Sequence, residues 1–373
     1  MPQIGIYHPT FSNKGGTVTV CLSVMEALQG EYDLTLYSTD RPDIDSLNEH
    51  YGTDVTDVAV ERVTLPTAIP SFVDGKHERA MVNRVAKRQL SGEDVVVSTQ
   101  WELNAPIPSL QYIDLPSLVS PVPSDLGGLD RIRKRSGNAI SKRLAGFDAA
   151  SFGDARVLTN SNWTANLLRT VHGVEAEVVY PPSVKRDDFQ ETREWDERES
   201  GFVTVGRIRP SKRTLRAMKI VEALRERGLD VHLHVLGPTN APEYERRARA
   251  IAADRPFIKY EGEVSRERLL HLLSTHRYGL HAKDAEPFGI AVAEMVAAGM
   301  VPFVPDGGGQ REIVDNNAAL VYSDISDAVS SIERVLADRE KQLSLRETLA
   351  RKVSDFTRQN YKTAIKQHTA ELL

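Results

Sequence analysis

At 373 residues the chain is too long for one ordinary hydrophobic core, and two domains of similar size are expected. Its 40% hydrophobic, 27% charged and 6% aromatic residues exclude a disordered or fibrous class, and a net charge of -5, from 47 basic and 52 acidic residues, excludes global attraction to nucleic acid or an anionic membrane. The single Cys21 excludes an internal disulfide and a cysteine cluster for zinc, which makes a reducing compartment, the cytoplasm, the expected location.

The amino terminus, MPQIGIYHPTF, has neither the basic nor the apolar region of a signal peptide and reads as a first β-strand. Short β-branched runs bounded by Gly, Pro and Asp place strands in the first half at residues 4–7, 34–38, 58–65, 95–98, 118–122 and 156–159. After the first of these, Lys14-Gly15-Gly16-Thr17 opens a helix and can admit a ligand against bare backbone, although its spacing is neither GxGxxG nor a P-loop. Asp43-Ile44-Asp45 is a D-x-D string whose place beyond a strand favours a helix N-cap over a metal site. Basic stretches at 77–88 and 131–143 have helical spacing and read as solvated helix faces, with a membrane-surface patch as the alternative. The sequon Asn162-Trp163-Thr164 carries little weight without an export signal. A proline pair and dense mixed charge set the domain boundary near 182–199.

Strands in the second half are expected at 202–206, 231–236, 258–261, 278–281, 301–304 and 319–322. Helical patterns separate the strands throughout, so each half reads as βαβ units around a parallel sheet, an α/β class. The longest apolar run, 289–305, is broken by Glu294 and Pro302 and falls short of a membrane span.

Three places in this half can carry chemistry. GFVTVGRIRPSK runs from a strand into a basic loop, where ligands of open α/β sheets bind. Arg207 can grip phosphate oxygens with two donors and Lys212 adds a mobile charge, which suits a diphosphate; the stretch alone is equally compatible with a surface turn. His232 and His234 alternate along a strand, but no acidic or cysteine partner completes a ligand set, so they read as structural. The second place, LHAKDAEPFGIAVAEMVAAG, runs strand, polar loop, helix, with Pro287 suited to the helix first turn and Gly299 to its end. Glu286 then precedes the helix and Glu294 lies about two turns along it, about 10–12 Å away. That exceeds the roughly 5–9.5 Å of a glycosidase pair and suits the two ends of an extended ligand whose anionic middle rests on the helix N-terminus. Beyond the next strand, Gly307, Gly308 and Gly309 offer bare backbone to an anion before a helix starting near Gln310.

EPFGIAVAEMVAAGMVPFVPDGGGQREIV, with Glu286 and Glu294 as an E-x7-E pair and GRIRPSK upstream, resembles the retaining glycosyltransferases of the two-domain B fold, glycosyltransferase family 4. The resemblance implies GT-B architecture, two Rossmann-like domains with parallel sheets facing across a cleft. Residues 1–185 would take the acceptor, 186–355 the nucleotide sugar, and a C-terminal helix, 356–373, would cross back to the first domain. It implies that Glu286 contacts donor-sugar hydroxyls and Glu294 the ribose hydroxyls. Arg207 and Lys212 would neutralise the departing diphosphate, with backbone amides of Phe288, Gly289 and Ile290 around it.

YHPTFSNKGG at 7–16, YIDLPSLVSP at 112–121, and LTNSNWTANLL followed by VVYPPSV are similar to the eukaryotic α-1,2-mannosyltransferases that extend a lipid-linked oligosaccharide. On that likeness Gly16 joins the nucleotide-sugar site and His8 and Gly15 the acceptor side. Asp114 stands where those enzymes usually carry a His that contacts the reacting sugar. The implied activity is retaining transfer of a hexose, of mannose or glucose type, from a GDP- or UDP-sugar to a glycan or polyprenyl-phosphate-linked acceptor. No metal is expected, because the Arg/Lys pair replaces it, and the basic helices would touch the cytoplasmic membrane face. The alternatives are a sugar-nucleotide epimerase of the same fold, against which PFG within E-x7-E argues, and a non-catalytic partner subunit, for which Asp114 is the best support.

Overall fold

The computed structural model describes residues 1–12, 15–64, 75–118, 128–147, 149–183, 188–189 and 193–373, apart from the side chains of 75–78, 128–135 and 149–150. The chain divides into two compact units, Met1–Pro182 with Arg358–Leu373, and Ser183–Thr357. The first unit contains β1 (Gln3–Tyr7), α1 (Gly16–Leu28), β2 (Asp33–Ser38), α2 (Ile44–Tyr51), β3 (Ala59–Arg62), α3 (Gly75–Gln89), β4 (Val95–Ser98), β5 (Ser109–Ile113), α4 (Gly128–Ala145), β6 (Ala155–Thr159), α5 (Asn162–His172) and β7 (Glu177–Val178). The strands pair in parallel in the order β3-β2-β1-β4-β5-β6-β7. A parallel sheet is covered on both faces, so β4, VVVS, is buried at all four positions instead of alternating.

The second unit contains β8 (Glu199–Val205), α6 (Thr214–Glu226), β9 (His232–Leu236), α7 (Pro242–Ala253), β10 (Ile258–Gly262), α8 (Arg266–Thr275), β11 (His276–Leu280), α9 (Ile290–Ala297), β12 (Val301–Pro305), α10 (Gln310–Ile313), β13 (Val321–Tyr322), α11 (Ile325–Leu336) and α12 (Arg339–Lys352). Its parallel order is β10-β9-β8-β11-β12-β13. In both sheets the order reverses beside the first strand, between β1 and β4 and between β8 and β11, which creates a crevice at the carboxyl ends of the strands. The last helix, α13 (Arg358–Ala370), belongs to the first unit, where Tyr361 and Ile365 join the core formed by α1, β1 and β2.

Several expectations change. The strand β5, SLQYI, and the two-residue β7 were not foreseen. Of the strand expected at 118–122, Leu118 lies outside any strand and 119–122 fall outside the described residues, as do Lys14 and residue 65. His77 and positions 131–135 of the basic stretches are placed in α3 and α4 without described side chains. Asp43 does cap α2, accepting from the Ser46 N–H at 3.1 Å. The sequon is helix-start chemistry: Ser161 caps α5 through Thr164 N–H, and the buried Thr164 hydroxyl donates to Asn160. His232 and His234 are not short of partners, because His276 and the carboxylates of Glu199 and Glu261 meet them. No helix among the described residues is long and apolar enough to cross a membrane.

Candidate active site

At the second sheet's switch point, β8 runs into Gly206 and Arg207 and then a tight 3-10 turn, Pro210–Lys212, while β11 runs into His281 and an irregular loop ending at Gly289. A small cleft lined by Gly206, Lys212, Thr214, His281 and Ala282 marks the junction. Glu286, 8% exposed, is the centre of the charges there. Its Oε2 accepts from Lys212 Nζ at 2.5 Å, its Oε1 accepts from Lys283 Nζ at 2.9 Å, and His281 Nε2 lies 3.4 Å from Oε2. Burial alone would raise the Glu286 carboxyl pKa. His281, Lys212 and Lys283 overcome that and hold it well below the ordinary range, so the group is ionised at neutral pH. Burial pulls Lys212 in the opposite direction, below the ordinary ammonium value, opposed by Glu286 and aided by Lys283 and Arg207. Arg207 therefore stands close to Lys212, and among the described residues its guanidinium has no carboxylate partner.

The loop holding Glu286 is built under strain. Ala285 has φ 49, a conformation L-residues seldom adopt, and Glu286 forms an isolated bridge with Gly308. Gly308 has φ 87, and a Cβ there would sit 2.3 Å from the Glu286 carbonyl oxygen. The Gly309 N–H donates to that carbonyl at 2.9 Å. The glycine turn thus clamps the Glu286 backbone, and this is a correction: the Gly309 amide expected to face an anion is already engaged. Gln310, fully buried, completes the clamp by donating through Nε2 to the carbonyls of Lys283, Pro305 and Gly307.

Gly289, at φ 110, turns the chain into α9, so the helix begins at Ile290 instead of around Pro287. Glu294 consequently stands about one turn along it, not two. Its Oε1 accepts from Arg266 Nη1 at 2.6 Å, and Arg266 Nη2 donates to Asp188 at 2.6 Å. Burial raises the Glu294 carboxyl against the pull of Arg266. Phe288 is buried against Phe356, ring centroids 5.5 Å apart, anchoring the segment that carries the Gly289 and Ile290 amides.

The other expected site residues belong to the first unit and share the carboxyl end of its sheet. His8 follows β1, is fully buried, and has Nδ1 2.9 Å from Thr99 Oγ1 just beyond β4. Burial lowers its pKa to about 4 against the nearby Asp40, so the ring is neutral, and its Nε2 has no hydrogen-bond partner among the described residues. The Gly15 N–H donates to the Tyr51 hydroxyl at 2.9 Å, and Gly16 is the first residue of α1. Asp114 follows β5, with its N–H donating to the Gln100 carbonyl and its own carbonyl accepting from Asn160. Sequence reasoning missed His281, Lys283, Gln310 and Arg266. The first two lie in the quoted LHAKDAEP and were legible as polar groups after a strand; Arg266 reaches Glu294 only through the fold.

The glycosyl transferases group 1 family matches residues 185–352. The GDP-Man:Man(3)GlcNAc(2)-PP-Dol alpha-1,2-mannosyltransferase of Dictyostelium discoideum is 23% identical over 238 residues, 58% of this chain and 47% of that protein. The chain spans about half the length of the curated relatives it matches first. Sucrose-phosphate synthase from Thermosynechococcus elongatus superposes with a TM-score of 0.72 at 15% identity over 100% of this chain and 99% of that one. Anabaena HepE in complex with UDP and glucose superposes at 0.66 with 13% identity over 99% and 98%. Residues 185–352, all within the second unit, are thus a glycosyl transferases group 1 domain, in a chain whose fold is that of the GT-B glycosyltransferases.

Proposed function

We propose that the chain is a retaining glycosyltransferase that moves a hexose from a nucleotide diphosphate sugar to a hydroxyl of a glycan or polyprenyl-phosphate-linked acceptor. The observation that carries this is the ionised, buried Glu286 held between Lys212 and Lys283 at the switch point, with Arg207 beside them. In the transfer the bond from the sugar C1 to the diphosphate oxygen breaks with its electron pair going to the diphosphate. The acceptor oxygen forms the new bond to C1 and its proton leaves to the departing diphosphate. Negative charge grows on the leaving group, and preorganised cations there supply the largest share of the rate. Arg207 and Lys212 fill that role, joined by the amides of Phe288, Gly289 and Ile290.

Glu286 would take the hydroxyls of the donor sugar and oppose the positive charge developing on its ring, while Glu294 would take the ribose. With two cations at the phosphates, turnover is expected without added magnesium or manganese. Gly16 is assigned to the nucleotide sugar, His8 and Gly15 to the acceptor, and Asp114, on the acceptor side, is assigned with Glu286 as a catalytic residue. A GDP-hexose is the first donor to try, since the relative's name specifies GDP-mannose, with UDP-glucose second because HepE was solved with UDP and glucose. A lipid-linked acceptor and contact with the cytoplasmic membrane face draw support from that same relative. The exposed Arg84 and Arg88 on α3, and the exposed Arg143 and Ile140 on α4, add to it.

A panel of GDP- and UDP-sugars against lipid-linked and soluble acceptors tests the proposal. Nucleotide diphosphate should appear only when acceptor is present, and the product linkage should keep the donor's anomeric configuration by NMR. Conversion of the donor without acceptor would mean an epimerase, and transfer undiminished in Glu286→Ala would remove the catalytic assignment.

A further inference from the structure

Strand side chains alternate with a period of two, so His232 and His234 share one face of β9. His276 opens β11, with β8 lying between the two strands. The residue of β8 in register with His232 is Gly201, and a Cβ there would fall 2.3 Å from His232 Nε2. Without that side chain His232 leans across β8 until its Nε2 is 3.0 Å from Nε2 of His276. The ring of His234 stands 4.7 Å from that of His276, and one nitrogen from each of the three rings lies within 4.8 Å of the other two. Glu199, in register with His276, brings Oε2 to 3.5 Å from His232 Nε2 and 3.8 Å from His276 Nε2.

The opposite ring nitrogens are already held. His234 Nδ1 is 2.7 Å from Glu261 Oε1, which also accepts from Arg268, and His276 Nδ1 is 2.9 Å from the Leu272 carbonyl. An imidazole that donates Nδ1–H to a carboxylate or carbonyl presents its Nε2 lone pair on the other side, the arrangement that orients metal-binding histidines. His234 Nε2 is buried and has no hydrogen-bond partner among the described residues. Glu199 and Glu261 face the rings against Lys259 and Arg268, so an incoming cation meets no net repulsion.

We propose that His232, His234, His276 and Glu199 form a binding site for a divalent transition metal of the zinc class. Three imidazole nitrogens and one carboxylate are a donor set that zinc accepts in tetrahedral geometry. Metal–nitrogen bonds of about 2.0–2.1 Å put tetrahedral ligand atoms about 3.3–3.4 Å apart. The observed 3.0, 3.5 and 3.8 Å separations among His232, His276 and Glu199 bracket that spacing, and the His234 nitrogen, within 4.8 Å of the other two imidazole nitrogens, completes the set by a small shift of its ring on binding. The ion would tie together the amino ends of β8, β9 and β11. One five-residue strand, β11, of about 3.3 Å per residue separates it from the carboxyl end that leads to Glu286. Its role is therefore to brace the sheet that carries the candidate active site, and it does not depend on the glycosyltransferase reading.

The full chain, stripped with chelator and desalted, is titrated with Zn²⁺ by calorimetry, and bound metal is counted by elemental analysis after gel filtration. One zinc per chain is expected, with a higher melting temperature, and Co²⁺ in its place should show the intense visible bands of tetrahedral coordination. His276→Gln should abolish stoichiometric binding. Glu261→Gln touches no metal itself and should weaken binding by about 10- to 100-fold. Glu199→Gln changes a half-exposed side chain, keeps the fold by circular dichroism, and should also weaken binding. Absence of stoichiometric zinc in the unaltered chain, or an affinity unmoved by both Glu199→Gln and Glu261→Gln, overturns the proposal.

Discussion

A carboxylate as buried as Glu286 keeps its charge only because two ammonium groups and an imidazole face it. Lys212→Ala removes one of these and a proposed phosphate cation together, so kcat should fall by about 10²–10³-fold at saturating donor. Arg207→Ala separates the two effects, because that guanidinium has no carboxylate partner among the described residues. Its kcat/KM for donor should drop while urea unfolding stays within about 0.5 kcal/mol of the parent. In the first unit, Glu102 shows a buried carboxylate with a structural job. It accepts from the Ser117 N–H and hydroxyl and the Leu118 N–H, with His172 Nε2 at 3.0 Å. Burial alone would raise its pKa, but His172 and Ser117 bring it below the ordinary 4.5. A depressed folded-state pKa gives stability that is fully present above the unfolded carboxyl value and is lost as pH falls through the folded one. Glu102→Gln should therefore cost about 1–3 kcal/mol near neutrality. In urea unfolding series, that difference from the parent should shrink below about pH 4.5.

The elements differ in how openly the sequence announces them. VVVS of β4 is an apolar run and was legible as a strand; SLQYI of β5 is equally buried, but its polar residues hide it. Gln111 lies inside because its amide donates to the Leu103 carbonyl and accepts from the Leu103 N–H, a pairing visible only once the chain is folded. The same holds at the sites. Glu286 and Lys212 sit in local motifs, and so were legible, whereas His276 is 44 residues from His232 and no spacing rule joins them. Gly308 was legible as a turn, but its task was not. Placing a Cβ there drives it into the Glu286 carbonyl and forces φ 87 on an alanine, a strain of about 1–3 kcal/mol. Because the relief available is a shift of the Glu286 main chain, Gly308→Ala should reduce transfer far more than it lowers the melting temperature. Paired kinetics and calorimetry check this, and a stability loss without a matching loss of rate would separate the turn from the site.

At the scale of the whole chain, the last residues complete the first unit rather than trailing from the second. On α13, Tyr361 and Ile365 lie one turn apart on the same face, which is why both can enter the core built by α1 and β1. The Tyr361 ring meets Tyr112 of β5 edge-on with centroids 5.4 Å apart, Arg358 donates to the Gly52 carbonyl at 2.7 Å, and Lys366 pairs with Glu31. Burying a large apolar side chain contributes about 1.5–3 kcal/mol, so these two residues alone supply on the order of 3–6 kcal/mol. That is comparable to the roughly 5–15 kcal/mol that holds a domain folded. A chain ending at Thr357 should therefore lose or sharply lower the melting transition of the first unit. Residues 358–373 belong to the first unit, and the second unit's cluster around Val203, Leu236 and Met295 has no α13 member among the described residues, so the second unit should melt as before. Differential scanning calorimetry of the two chains distinguishes the outcomes: one depressed transition with the other unmoved supports this division of labour, equal depression of both would show that α13 stabilises the two units together, and depression of neither would show that its burial adds little to the first unit.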